Sequence, residues 1–287
     1  MPGLLVAGSI ALDSLRGGEI REELGGSALY FALAASRLVP VAMVAPVGRD
    51  AEARVRALLA RHPRIDTTRL DVLDAPTYRW FAEAREGRNL DLGSQDSIYD
   101  AWHPRLPRSF RGWAFVGSMR PDQQLRIVRD LVGCRLLAAD AMCSYVTQAP
   151  DLVHQVLRLV DWYFCNDEEL TALGGSEPER FRARWGLGGL VVKHGPGGAT
   201  AYTVRGTVHV PSRARRVEDT TGAGDALAAG MLAHWMLHGG APDRLREALE
   251  VGSELAALTI SAIGLRALDG PEAGGERDPG PRSGDGS

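Results

Sequence analysis

The 287-residue chain is 45% hydrophobic and 24% charged, with a formal net charge of −3, which is material for one large α/β domain with a sizeable core or for two smaller ones. Its 33 basic and 36 acidic residues are mixed along the chain, a balance that argues against nucleic acid or a membrane surface as partner. No apolar run reaches the roughly 18–20 residues that a membrane span needs.

The opening "MPGLLVAGSI" has no basic n-region or cleavage site and reads as a first strand. Cys134, Cys143 and Cys165 are odd in number and lack CxxC spacing, so the expectation is reduced core thiols in a cytoplasmic protein. Short apolar runs then recur: 4–10, 41–47, 114–118, 135–140, 161–166 and 190–195. Their Val, Leu, Ala and aromatic content is that of strands buried on both faces.

Between the runs lie helical spacings, such as Leu125, Val128 and Val132, and Leu152, Val156 and Leu159. Strand alternating with helix predicts a mostly parallel sheet with helices on both sides, which binds ligands beyond the C-terminal ends of its strands. The residues ending the runs, Asp13, Gly48, Asp140, Asn166 and Gly195, are therefore candidates. Two stretches, about 14–26 and 76–100, break the alternation with short alternating or aromatic pieces and Gly turns, and are read as one accessory flap of small strands. From Asp269 the chain is rich in Gly, Pro and charge, a composition of disorder over 269–287.

The stretch "VEDTTGAGDALAAGML" (217–232) combines a bare turn, an acid and a helix start. Ala226, Leu227, Gly230, Met231 and Leu237 are expected on one side of a helix closed by Gly239 and Gly240. Unpaired N–H groups at a helix N-terminus attract anions, and Gly222 and Gly224 would let a phosphate approach the backbone. Asp225 would then stand beside that phosphate as a general base for an attacking hydroxyl. The local pattern reads equally well as an ordinary Thr-capped helix with Asp225 in its first turn. No G-x-x-x-x-G-K-[ST] occurs, and Leu227 stands where a G-x-G-x-x-G pattern needs its last glycine.

With "GSIALD", "GGSALYFALAASRL", "VGRD", "NDEE", "VKHGPGGA" and "DTTGAGD" in this order, the chain over about 1–268 resembles the ribokinase-like, PfkB-type family of carbohydrate and nucleoside kinases. The resemblance implies a three-layer α/β fold with a mostly parallel central sheet and a small β-strand lid from about 14–26 and 76–100. It implies an ATP- and Mg²⁺-dependent phosphotransferase acting on the hydroxymethyl group of a small sugar. Alternatives are a nucleoside kinase on the same fold and a nucleotide-binding regulator without catalysis.

By the same resemblance, Gly222, Ala223 and Gly224 form the anion hole and Asp225 is the base. Asp13, Gly25, Gly26 and Tyr30 are the acceptor positions, with Tyr30 standing where the family usually has an asparagine. Asn166, Glu169, Lys193, Gly195, Gly198 and Thr221 lie on the nucleotide side, and Lys193 replaces a common Thr or Ser. Glu169 acts on Mg²⁺ indirectly, Asp140 is the acidic strand end near the triphosphate, and Asp219 with Thr221 forms part of a monovalent-cation site for K⁺. A homodimer through the lid is also implied.

Read without the family, Asn166 is a helix cap with Glu168 or Glu169 completing a capping box. Tyr78, Trp80 and Phe81 suit either a ligand ring or a partner surface. His194 beside the nucleotide turn is expected to be incidental. His62, His103, His154, His209, His234 and His238 are read as lacking ligand spacing and receive no role.

Overall fold

The computed structural model describes residues 3–85 and 88–270, with 84, 85 and 88 described by their backbone alone. The disordered tail expected from Asp269 falls outside the described residues from 271 onward. Asp269 itself is ordered: it ends the short helix Arg266–Asp269, and its carboxylate meets Arg61 and His62. This moves the expected tail boundary, because the Arg61 guanidinium and the His62 ring hold that carboxylate in place.

The central sheet has nine strands in the order 206–210, 199–203, 189–193, 162–166, 136–140, 113–116, 4–7, 41–48, 65–73. Every pairing from Gly189–Lys193 to Ile65–Leu73 is parallel, and the two strands at the other edge are antiparallel. Both faces are covered, as the alternation of side chains requires. Leu4, Val6, Val41, Met43 and Phe115 enter one core, while Leu5, Ala7, Ala42, Val44 and Val116 enter the other.

All six apolar runs contain a sheet strand, but the first run is cut short. Its strand is Leu4–Ala7, and the chain then leaves the central sheet. Ala11–Leu15 belongs instead to a second, four-stranded sheet ordered 20–25, 11–15, 78–85, 88–95. Three central strands escape the apolar-run criterion. Ile65–Leu73 is an edge strand with polar residues interleaved, and the hairpin 199–203/206–210 is short and polar at its turn. The edge strands 65–73 and 206–210 face water on one side and lack the continuous apolar run of a central strand, and 199–203 between 189–193 and 206–210 is fully buried only over its first three residues.

The helix Ala223–Leu237 corrects the one-sided reading of its pattern. Residues 226–233 are all buried, whereas Leu237 is 58% exposed. The helix lies against both Ser27–Ser36 and Leu245–Thr259, so nearly its whole circumference is covered and small residues fit throughout. Val132 likewise follows the helix Pro121–Leu131 and is 54% exposed.

An aromatic wedge fixes the C-terminal half of Ala223–Leu237. Trp235 meets Trp113 and Trp162 of the sheet edge-on, at ring-centroid distances of 5.4 and 4.9 Å. Such contacts add roughly 0.5–1.5 kcal/mol each beyond the area they bury. They set the tilt of a helix whose other end reaches the candidate site. Among the described residues, no helix is long and apolar enough to cross a membrane.

Candidate functional site

The strand order reverses beside Leu4–Ala7, which pairs with 41–48 on one side and 113–116 on the other. Open parallel sheets present a crevice at such a point, outside the carboxyl ends of their strands. Here a cleft of about 750 Å³ lies there, lined by Ser9, Ser118, Asp140, Asn166 and Lys193 from five strand ends. The second sheet covers part of it with Asp13, Tyr78, Trp80 and Asn89.

The turn before Ala223–Leu237 supplies Gly222, Ala223, Gly224 and Asp225 to the cleft wall. Gly222 is the N-cap, at φ 75°, a left-handed conformation that a side chain disfavours. The first N–H groups of the helix have no carbonyl one turn earlier within it, and they lie at this wall. Asp225 is half-buried, with Oδ1 enclosed and lacking a hydrogen-bond partner. Burial pushes its carboxyl up to about 6, against the pull of the Lys193 ammonium and with the Glu169 charge adding to the rise.

Lys193 is half-buried in the midst of three acids. A Cβ built on Gly224 would stand 2.8 Å from its Nζ, which puts the ammonium over the first turn of the helix. Burial alone would lower the lysine, but the charges of Glu169, Asp140 and Asp225 together hold it above its ordinary value. Asp140 is raised well above the carboxylate range by burial and by Asp225, and its Oδ1 also lacks a partner. Glu169 is raised by burial, while Lys193 and the Asn166 N–H oppose the rise.

Asn166 and Glu169 form the capping box that their spacing allows. The Glu169 N–H donates to Asn166 Oδ1 at 2.7 Å, and the Asn166 N–H donates to Glu169 Oε2 at 2.8 Å. Both residues also line the cleft, so the cap fixes where they point into it. Gly195 and Gly198 line the same side, in a turn closed by the His194 N–H donating to the Gly198 carbonyl at 2.8 Å.

On the opposite side Asp13 is 3% exposed, and its carboxyl is raised by burial first and then by Asp219, Asp225 and Glu23. Gly25 does not line the cleft. A side chain there would collide with the Asp13 carboxylate, so this glycine makes room for Asp13. Gly26 and Tyr30 do line it. Ser9 and Ser27 lock the turn to the first strand: each donates its backbone N–H to the other's hydroxyl, at 3.0 and 3.1 Å.

A model described as pfkB family carbohydrate kinase matches residues 122–271, which include Asp140, the Asn166–Glu169 cap, Lys193 and the whole signature turn. The chain belongs to this family. An ATP-dependent ribose-1-phosphate kinase of Halopiger xanaduensis is 35% identical over 119 residues, 42% of this chain and 39% of that protein. A cytidine kinase of Thermococcus kodakarensis is 29% identical over 158 residues, 52% of this chain and 55% of that one. The chain thus spans between about two fifths and just over half the length of these curated relatives. Among solved structures, the Burkholderia thailandensis nucleoside kinase in complex with ADP-inosine superposes with a TM-score of 0.76 at 21% identity, covering 93% of this chain and 92% of that one. That likeness speaks for the ribokinase-type fold.

In this pfkB member, Asp219 is not part of the cleft lining; it holds the signature turn together. Its Oδ1 accepts from the Thr221 N–H at 3.0 Å, the Thr221 hydroxyl at 2.7 Å and Asn89 Nδ2 at 3.1 Å, and its Oδ2 accepts from the Gly264 N–H at 3.2 Å. Three of these four bonds fall on Oδ1, so Oδ2 keeps acceptor capacity of its own.

Asn89 is the cleft residue that sequence reasoning missed. It sits on the second sheet and also donates to Thr221 Oγ1 at 2.7 Å. A lone Asn within a hairpin carries no local signal for a partner 130 residues away. His194, expected to be incidental, lines the cleft and joins Asp167 at 2.9 Å to Thr200 at 2.9 Å.

Proposed function

We propose that the chain transfers the γ-phosphoryl group of ATP to a hydroxymethyl group of a small sugar. The observation that carries this is Asp225: a carboxylate with one enclosed, unpartnered oxygen, in the first turn of a helix whose N-terminal backbone faces a cleft shared with Asp13. A base near pKa 6 is ionised at neutral pH and still takes a proton as the acceptor oxygen attacks. The amides of residues 222–224 meet charge developing on the transferred group.

Lys193 supplies a half-buried positive charge over the same turn, where phosphoryl transfer concentrates negative charge. Asp140 and Glu169 are the oxygen donors suited to Mg²⁺, Asp140 through its unpartnered Oδ1 and Glu169 indirectly through water. Mg²⁺, when bound, neutralises part of the phosphate charge. The apolar end of the cleft, with Val217, Ala256, Ala257 and Ile260, would take the base of the nucleotide, and the Gly195–Gly198 turn its phosphates.

Asp13, Gly26 and Tyr30 would bound the acceptor, with the second sheet as a lid excluding water from the phosphoryl group. Tyr78 and Trp80 in the lid wall favour a second reading, in which the acceptor is a nucleoside whose base stacks there. Cytoplasmic residence belongs to the proposal, and so does a homodimer through the lid, where Leu90 and Leu92 are 46% and 56% exposed. Sedimentation at several protein concentrations tests the dimer.

The function is tested by measuring ADP release over a panel of pentoses, hexoses, inositols and nucleosides. ADP release driven by a free sugar supports the first reading, and release driven by nucleosides alone replaces it with the second. Tight nucleotide binding with no turnover on any acceptor would leave a regulator without catalysis.

A further inference from the structure

The sequence reading gave His234 and His238 no ligand spacing, yet they stand one turn apart near the end of the helix Ala223–Leu237 and its cap. A four-residue separation puts both rings on one helical face, and their centroids are 4.6 Å apart. Glu247, in the first turn of Leu245–Thr259, brings Oε1 to 3.4 Å from His234 Nε2. One ligand atom from each of the three residues lies within 4.8 Å of the other two. None of them lines the cleft, and His234 is about 14 Å along the helix axis from Asp225 at 1.5 Å per residue.

We propose that His234, His238 and Glu247 bind a divalent first-row transition ion of the zinc class, clamping the end of one helix to the start of the next. The His234 side chain is only 15% exposed, and its Nε2 is enclosed without a hydrogen-bond partner. An enclosed nitrogen of that kind is unfavourable unless something coordinates it. The 3.4 Å separation from Glu247 is close to the roughly 3.3 Å edge of a tetrahedron built on metal–ligand bonds of about 2.0–2.1 Å.

The surroundings complete the argument. Arg244 Nη1 donates to Glu247 Oε2 at 3.0 Å, which orients the carboxylate and leaves Oε1 for an ion, as outer partners do at metal centres. The C-terminal carbonyls of the helix favour a cation nearby. His238 and Glu247 are exposed, so both have freedom to close the remaining distance, and a water has access as fourth ligand. Two imidazoles and one carboxylate select Zn²⁺, Ni²⁺ or Cu²⁺ over Mg²⁺ or Ca²⁺.

The test uses the full chain stripped with chelator and titrated calorimetrically with ZnCl₂ and, in parallel, MgCl₂. Wild type is compared with His238→Ala and Glu247→Gln, two exposed positions whose substitution leaves the fold intact, as circular dichroism checks. The expected result is one Zn²⁺ site in wild type that is weakened at least about tenfold in each variant, and a Zn²⁺-dependent rise in Tm that His238→Ala lacks. Equal Zn²⁺ binding by wild type and both variants would assign the ion to the cleft carboxylates and overturn the proposal. So would the absence of Zn²⁺ binding by wild type.

Discussion

The ring of Tyr30 occupies the space that any side chain at Gly222 would need. Gly222 also holds φ 75°, so Gly222→Ala combines an unfavourable backbone conformation with overpacking of a buried ring. The expected loss is roughly 2–4 kcal/mol of stability, together with a fall in kcat as the turn is displaced. Denaturant unfolding and steady-state kinetics measure the two. Tyr30→Phe separates shape from hydroxyl: the Tyr30 oxygen is buried without a partner, so its removal should leave stability unchanged or improved. A rise in the acceptor KM of Tyr30→Phe, with stability unchanged, would show that the hydroxyl meets the acceptor.

Asp225→Asn should lower kcat by about 10²–10⁴ while raising stability at neutral pH. The sign follows from the half-buried carboxyl: its folded value of about 6 lies above the ordinary 3.8, so the folded state favours the protonated form. That preference stabilises fully below about pH 4 and is lost as pH rises through 6. A neutral amide avoids the loss, worth up to about 3 kcal/mol for a two-unit shift. Thermal melts at pH 5 and pH 8 test it: the gap between variant and wild type should widen at the higher pH.

Activity should rise with pH through about 6 on the acid limb of kcat, where Asp225 loses its proton. Lys193 lowers the Asp225 value, so Lys193→Met should move that limb to higher pH as well as reduce kcat. An unmoved limb in a folded Lys193→Met protein would remove Lys193 from the electrostatics of the base.

Asn89→Ala removes the tie between the lid and the signature turn. Two hydrogen bonds are lost, and because Asp219 keeps three donors while the Thr221 hydroxyl still donates to it the stability cost should be small, about 1 kcal/mol. The acceptor KM should rise several-fold while the ATP KM changes little. Equal changes in both constants would mean that the link serves the whole turn and not the lid.

By itself the sequence determined the parallel sheet and the glycine-bare turn ahead of a helix. Buried parallel strands must be apolar on both faces, and a turn with bare backbone before a helix needs glycines at fixed positions; both demands are local, so they are written in runs such as 41–47 and in "GAGD". It also marked Asn166 and Glu169, whose cap joins residues three apart. What only the tertiary structure decided is long-range. Asp13 lies in the lid sheet and not at the end of the first strand, Asn89 meets Asp219, Tyr30 sits beneath Gly222, and Glu247 meets His234 of another helix. These partners are separated by up to about 190 positions in the chain, and nothing in either residue's neighbourhood encodes the other. Edge strands and the all-round burial of Ala223–Leu237 were hidden for the same reason: what covers an element is chosen by the rest of the fold.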